Sequence, residues 1–142
     1  VQVKSGMNIS TQGIKDIAAN LDIAEDLIHN ALRKALYAEG RLLIDEAGQE
    51  VPKDTRALYN SRFVAPPNTG KEGIKLTCGF GTASTINAKT KEPTSNYALI
   101  VHERLDVVHP NGKAKFLEDP ANRLKSKLEA NLAARVANSI GR

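Results

Sequence analysis

Residues 22–48 carry the pattern that most narrows what this chain can fold into. Ala24, Ile28, Ala31, Ala35, Ala38 and Leu42 recur at alternating four- and three-residue spacing, with Leu32, Leu36 and Leu43 beside them. That period places them on one face of a helix about 40 Å long. Such a helix must lie on another layer of structure, and the small side chains in its stripe let a second backbone approach closely. Asp22 is the expected cap, and Glu25 three residues on completes an acidic form of the capping box. Gly40 costs about 1 kcal/mol relative to Ala in a helix interior and marks an expected kink. Val51-Pro52 ends the helix, because the residue before a proline is driven out of the α region. His29, in line with Glu25 and Arg33 on the polar face, reads as a solvated or ion-paired side chain.

The layer beneath is expected to be a sheet. Residues 62–65 form a strand, residues 66–70 (PPNTG) have turn chemistry, and residues 73–81 (GIKLTCGFG) place Ile74, Leu76, Cys78 and Phe80 on one face. Gly79 and Gly81 lack the GxGxxG or GxxxxGK[ST] spacing of a phosphate loop, and no helix start follows them. Cys78, the only cysteine, excludes an internal disulfide and a multi-cysteine metal site, and reads as a small core residue. Residues 1–9 show no periodicity and read as a flexible or docking arm. A short helix follows from Ser10 or Thr11 to Asn20, with Ile14, Ile17 and Leu21 on one face. Residues 82–95 read as a long exposed loop. Asp119 as cap and Pro120 at the first helical position open a final helix, striped by Leu124, Leu128, Leu132, Val136 and Ile140. The expected fold is one α+β domain over residues 1–142: a long N-terminal helix packed on a small antiparallel sheet, a projecting loop and a C-terminal helix. The alanine seam and the last stripe exceed what one small sheet can cover, so self-association is expected.

Residues 96–120 (NYALIVHERLDVVHPNGKAKFLEDP) are where function is sought. Residues 97–101 are an apolar run that fits either a strand or a buried helical turn, and Phe116 and Leu117 are apolar at the far end. Two buried anchors would hold the loop between them in one pose, which lowers the entropy it must lose on binding. Residues 104–115, with Pro110, Asn111 and Gly112 as the turn, are therefore expected to project as an arm. Val107 and Val108 would give apolar contact. Arg104, Asp106, His109, Lys113 and Lys115 would give polar specificity at the rim.

No catalytic, cofactor or metal site is expected. His102-Glu103 starts like a zinc HExxH motif, but Asp106 stands where the second His belongs. A looser cluster of His102, Glu103, Asp106 and His109 ranks below partner contact. Ser61, Ser84 and Ser95 sit in no nucleophile context. Aromatic residues make up 4% with no Trp, which disfavours base stacking. Charge is uneven: residues 1–119 hold 15 Lys and Arg against 15 Asp and Glu, and residues 120–142 hold 5 against 1, so the net +4 lies at the C-terminal end. Arg123, Lys125, Lys127 and Arg135 are the candidate contacts to DNA phosphates, although no helix-turn-helix partner accompanies them. No apolar run approaches a membrane span, and the opening residues lack a signal-peptide layout, so a soluble product of the cytoplasm is expected.

The order YA, HE, HPNG and KFLEDP before a last helix resembles the tailed-phage head-tail connector or tail-completion proteins, also called minor capsid or neck proteins. Residues 51–64 (VPKDTRALYNSRFV) are similar to a second signature of that family, a Pro, an acidic residue and Thr-Gly followed by a Leu and a Ser, with Arg56 here in place of the Gly. The resemblance covers roughly residues 20–142. It implies a non-enzymatic ring in the virion neck, assembled in the host cytoplasm. Its partners would be other copies, portal or adaptor and tail proteins, and channel DNA contacted without sequence preference. The alternative is a basic nucleic-acid-binding protein.

Overall fold

The computed structural model describes residues 2–109 and 111–141. Its elements run β1 (Val3–Ser10), α1 (Thr11–Leu21), α2 (Glu25–Glu50), α3 (Ala57–Asn60), β2 (Phe63–Val64), β3 (Asn68–Gly70), β4 (Gly73–Phe80), a 3-10 turn (Thr94–Asn96), α4 (Ala98–Glu103), α5 (Glu118–Lys125) and α6 (Leu128–Ser139). The fold is α+β, with the long helix on a small antiparallel sheet.

β4 is the middle strand. It pairs with β1 on one side and with β2 and β3 on the other, antiparallel throughout. Ile74, Leu76, Cys78 and Phe80 are all buried, as their alternation requires, together with Val3, Met7 and Ile9 of β1. Lys4, Gly6, Asn8 and Lys75 face out, so the sheet has one covered and one solvated face. Burial pushes the Cys78 thiol up to about 11, so it stays protonated and unreactive at neutral pH.

The arm expected over residues 1–9 is a strand instead: residues 3–9 lie in β1, paired with β4, and residue 1 lies outside the described residues. Ser5 and Gly6 interrupt the apolar alternation of Val3, Met7 and Ile9, which hid the strand. The turn expected at 66–70 is instead a bulge. β2 pairs with β4 in one register and β3 in another, offset by one residue. Pro66 and Pro67 have no N–H to donate, so the ladder breaks there and resumes at Asn68. The tight turn is Lys71-Glu72, between the paired Gly70 and Gly73.

α1 starts where expected, with the Ser10 hydroxyl accepting from the Gly13 N–H at 3.0 Å. Asp22 does not cap α2. It ends α1 in the left-handed conformation (φ 53°), and its N–H bonds to the Ala18 and Ala19 carbonyls. α2 begins at Glu25 without a side-chain cap. Its buried face runs through Ile28, Leu32, Leu36, Leu43 and Ala47, rotated from the alanine-centred stripe, so Ala24 and Leu42 are exposed. The helix continues through Gly40, where the missing side chain admits Leu76: a Cβ there would lie 2.5 Å from its Cδ2. The last helix is two. α5 and α6 are separated at Ser126-Lys127, and both lie against α2. Leu132 and Val136 are buried and Leu124, Leu128 and Ile140 half-buried against the core. The two stripes thus cover each other, and the alanine seam no longer argues for self-association. Residues 82–95 are exposed but ordered: Thr94 is buried, its hydroxyl accepts from the Thr82 N–H at 2.8 Å, and Ile86 bridges to Pro93.

Candidate functional site

Residues 98–101 resolve as helix, with α4 spanning Ala98–Glu103 and Tyr97 in the turn before it. Six residues of helix bury only positions four apart, here Ala98 and His102, and leave Leu99 and Ile100 exposed. The first anchor is therefore half of what the apolar run promised. The second is complete, since Phe116 and Leu117 are buried.

His102 joins the two anchors. Its Nε2 accepts the Glu118 N–H at 3.2 Å, so Nδ1 carries the proton that goes to Glu103 Oε1 at 2.7 Å. Its carbonyl accepts the Lys115 N–H at 2.8 Å, and its ring stands edge-on to Phe116, which stands edge-on to Phe80. Glu118 supplies one of the first-turn N–H groups that a helix cannot satisfy internally. The imidazole fills that role, which is why α5 starts at Glu118 and not, as expected, behind an Asp119 cap. Asp119 pairs with Lys113 at 3.0 Å.

His102, Glu103 and Glu118 bring three ligand-type atoms within 4.8 Å of one another. The Lys115 ammonium already bridges the two carboxylates, 2.5 Å from Glu103 and 2.9 Å from Glu118. One of the two carboxylate charges is thus already balanced within the chain. Lys115 first, then His102, holds the Glu103 carboxyl below its ordinary value, and Glu103 and Glu118 raise Lys115. A carboxyl with a lowered folded value stabilises the fold fully above its unfolded value of 4.5 and loses that contribution as pH falls through the lower one. As pH falls below the ordinary carboxyl range the Lys115 amide should therefore lose protection, relative to the intrinsic exchange rate at each pH, while core amides keep theirs, as hydrogen exchange can read.

Of the arm residues, only the first part projects. Arg104 forms a two-point ion pair with Asp106, at 3.2 and 2.9 Å, which lowers Asp106 and raises Arg104. Leu105 is 77% exposed, Val107 38% and Val108 90%. His109 is half-buried, and its Nε2 has no hydrogen-bond partner among the described residues. Pro110 lies outside the described residues. The rest of the turn has the expected chemistry: Asn111 is left-handed (φ 60°), and the Gly112 N–H reaches the His109 carbonyl at 3.2 Å. Beyond it the chain folds back. A Cβ at Gly112 would lie 2.5 Å from Pro52 Cα, and the Lys113 N–H bonds to the Glu50 carbonyl. Lys113 and Lys115 are tied to the body by ion pairs with Glu50, Asp119, Glu103 and Glu118. The separable arm is 104–108.

The four basic candidates also divide. Arg123 is bound by Glu46 at 2.7 Å and Glu50 at 2.6 Å, which raise it further, and Arg135 lies 3.5 Å from the buried Glu39. Lys125 and Lys127 are exposed and make no ion pair among the described residues. The structure adds a cluster that the sequence reading missed. Arg62, Arg56 and Lys53 lie 3.7, 4.7 and 5.6 Å from the Tyr59 ring. Their spacing around one aromatic in residues 53–62 was the available signal.

The segment 51–64 also has a physical logic. The Thr55 hydroxyl accepts from the Ala57 N–H at 3.3 Å, and Arg56 is left-handed (φ 63°). Leu58 is buried. The Ser61 hydroxyl donates to the Leu58 carbonyl and accepts the Gly81 N–H at 2.8 Å, fastening the turn to the end of β4. Comparison with known protein families, curated proteins and solved structures finds no match to this chain. No helix among the described residues is long and apolar enough to cross a membrane.

Proposed function

We propose that this chain is a non-enzymatic structural component of a tailed-phage virion, a homo-oligomeric ring at the neck joining the head or portal side to the tail. One observation carries the reading. Of the nine large hydrophobic residues left exposed among the described residues, five (Leu99, Ile100, Leu105, Val107 and Val108) fall within residues 99–108. Exposed apolar side chains concentrated on an anchored loop mark a protein contact. Support also comes from the resembling segment 51–64. Where the family has Gly, this chain has a residue with positive φ, the conformation glycine adopts most readily. The polar groups of His102, Glu103, Lys115 and Glu118 are engaged with one another and hold the arm in place.

Leu105→Asp with Val107→Asp should leave circular dichroism and Tm nearly unchanged, since both sites are exposed. It should weaken self-association by at least 100-fold, on the order of the apolar area lost from one contact. Light scattering over a concentration series reads this, and association equal to wild type refutes the arm as the contact. If the monomer instead retains DNA in a salt-sensitive way, the alternative of a basic nucleic-acid-binding protein stands. Lys125, Lys127 and the cations around Tyr59 are then the side chains to remove.

A further inference from the structure

Among the described residues Glu39 is the only buried carboxylate, and neither of its oxygens accepts a hydrogen bond. Arg135, 3.5 Å from Oε1, supplies charge without a hydrogen bond. A buried charge in that state opposes folding, and a ligand that completes its pairing removes the penalty. Unsatisfied buried groups of this kind mark places where something further binds.

Glu39 lines a recess of about 420 Å³ where α2 meets α5 and α6. Leu42, Leu43 and Leu124 give the recess apolar walls, and the side-chain amides of Gln49 and Asn131 belong to the same lining. Two more carboxylates border it. Glu46 is held by Arg123 at 2.7 Å, whereas Asp45 is exposed and makes no ion pair among the described residues. At the rise of an α-helix, residues 39 and 45 stand about 9 Å apart along the axis of α2, with Leu42 and Leu43 between them in sequence. The three acidic groups do not converge as a metal site requires. Among the described residues, only His102, Glu103 and Glu118 bring three ligand-type atoms within reach of one ion.

We propose that this recess binds a linear alkyl diammonium cation, one ammonium on Glu39, the methylene chain along the leucines and the second ammonium at Asp45. An ammonium is a compact head with three donors, so it can bond Glu39 and an amide oxygen of Gln49 or Asn131 together. A bare alkali ion would gain nothing from Leu42, Leu43 and Leu124. A single ammonium would leave Asp45 unmatched. Lys127 at the rim opposes the ligand and sets a limit on its affinity. The recess is distinct from the arm, so the inference stands whether or not the chain forms a ring.

A ligand that binds only the folded chain raises Tm in a saturable way. Cadaverine should raise the Tm of the full chain by about 3 °C or more at saturation. Pentylamine, with one ammonium, should need at least tenfold more ligand, and sodium or magnesium chloride at equal ionic strength should not reproduce the effect. The side-chain amide signals of Gln49 and Asn131 should shift along the same saturation curve. Asp45→Asn, an exposed substitution that should fold normally, should weaken cadaverine about tenfold, and Lys127→Gln should tighten it severalfold. Glu39→Gln should abolish the response. If that variant does not fold, the Asp45 and Lys127 variants decide. A rise in Tm that either salt reproduces, or one unchanged in Asp45→Asn and Lys127→Gln, is screening and overturns the proposal. No saturable response in wild type overturns it as well, and leaves Glu39 with Arg135 as its sole function.

Discussion

Phe116→Ala should destabilise the fold by about 3–5 kcal/mol and lower Tm by roughly 10–15 °C. Phe116 is fully buried, with its ring 5.1 Å from Phe80 and 4.9 Å from His102, each edge-on. Removing it takes away the transfer energy of an aromatic side chain and opens a cavity beneath the imidazole. His102 would then lose the surface that sets its ring plane, and with it the geometry by which Nε2 accepts the Glu118 N–H at the start of α5. The loss should therefore have two parts: a global drop in thermal or denaturant unfolding, and faster exchange at the Lys115 and Glu118 amides than at other sites of equal burial. Phe116→Leu, which keeps most of the volume, should recover more than half of the stability. Equal destabilisation by Leu and Ala would show that ring contacts, not filled volume, decide the site.

The second large effect concerns Glu39. It is 1% exposed, and among the described residues neither carboxylate oxygen accepts a hydrogen bond and the one charged partner is the Arg135 guanidinium at 3.5 Å. A buried carboxylate without full pairing opposes folding. Arg135→Ala should cost about 2–3 kcal/mol, below the usual penalty for stranding a buried charge because Arg135 itself is 39% exposed. Glu39→Met, similar in volume and apolar, should be neutral or stabilising by about 1 kcal/mol or more. Chemical denaturation of both variants and of the pair checks this. If Arg135→Ala is neutral and Glu39→Met is costly, the pair does not hold α6 against α2.

The periodic elements were legible because period is a property of the chain itself. The long helix, Ile74-Leu76-Cys78-Phe80 and the stripe of Leu132 and Val136 needed no tertiary information. What failed were places where a distant residue outbid the local signal. Asp119 has every local reason to cap, yet Lys113 takes its carboxylate and His102, sixteen residues before Glu118, supplies the acceptor. Asp22 has a capping sequence on its C-terminal side but relieves the end of α1 instead. β1 was missed because Ser5 and Gly6 weaken an alternation that only pairing with β4 makes evident. In the candidate site, the exposure of Val107 and Val108 followed from their isolation between charged neighbours. The anchoring roles of Lys113 and Lys115 did not, since both depend on carboxylates brought in by α2, α4 and α5.

On the function proposed above, this chain closes into a ring of identical copies through its exposed arm. Light scattering on the purified chain over a wide concentration range, alone and with neck partners, measures that directly. A closed ring gives a discrete species at a whole-number multiple of 15.3 kDa. A particle of 15.3 kDa at every concentration and in every mixture would contradict it.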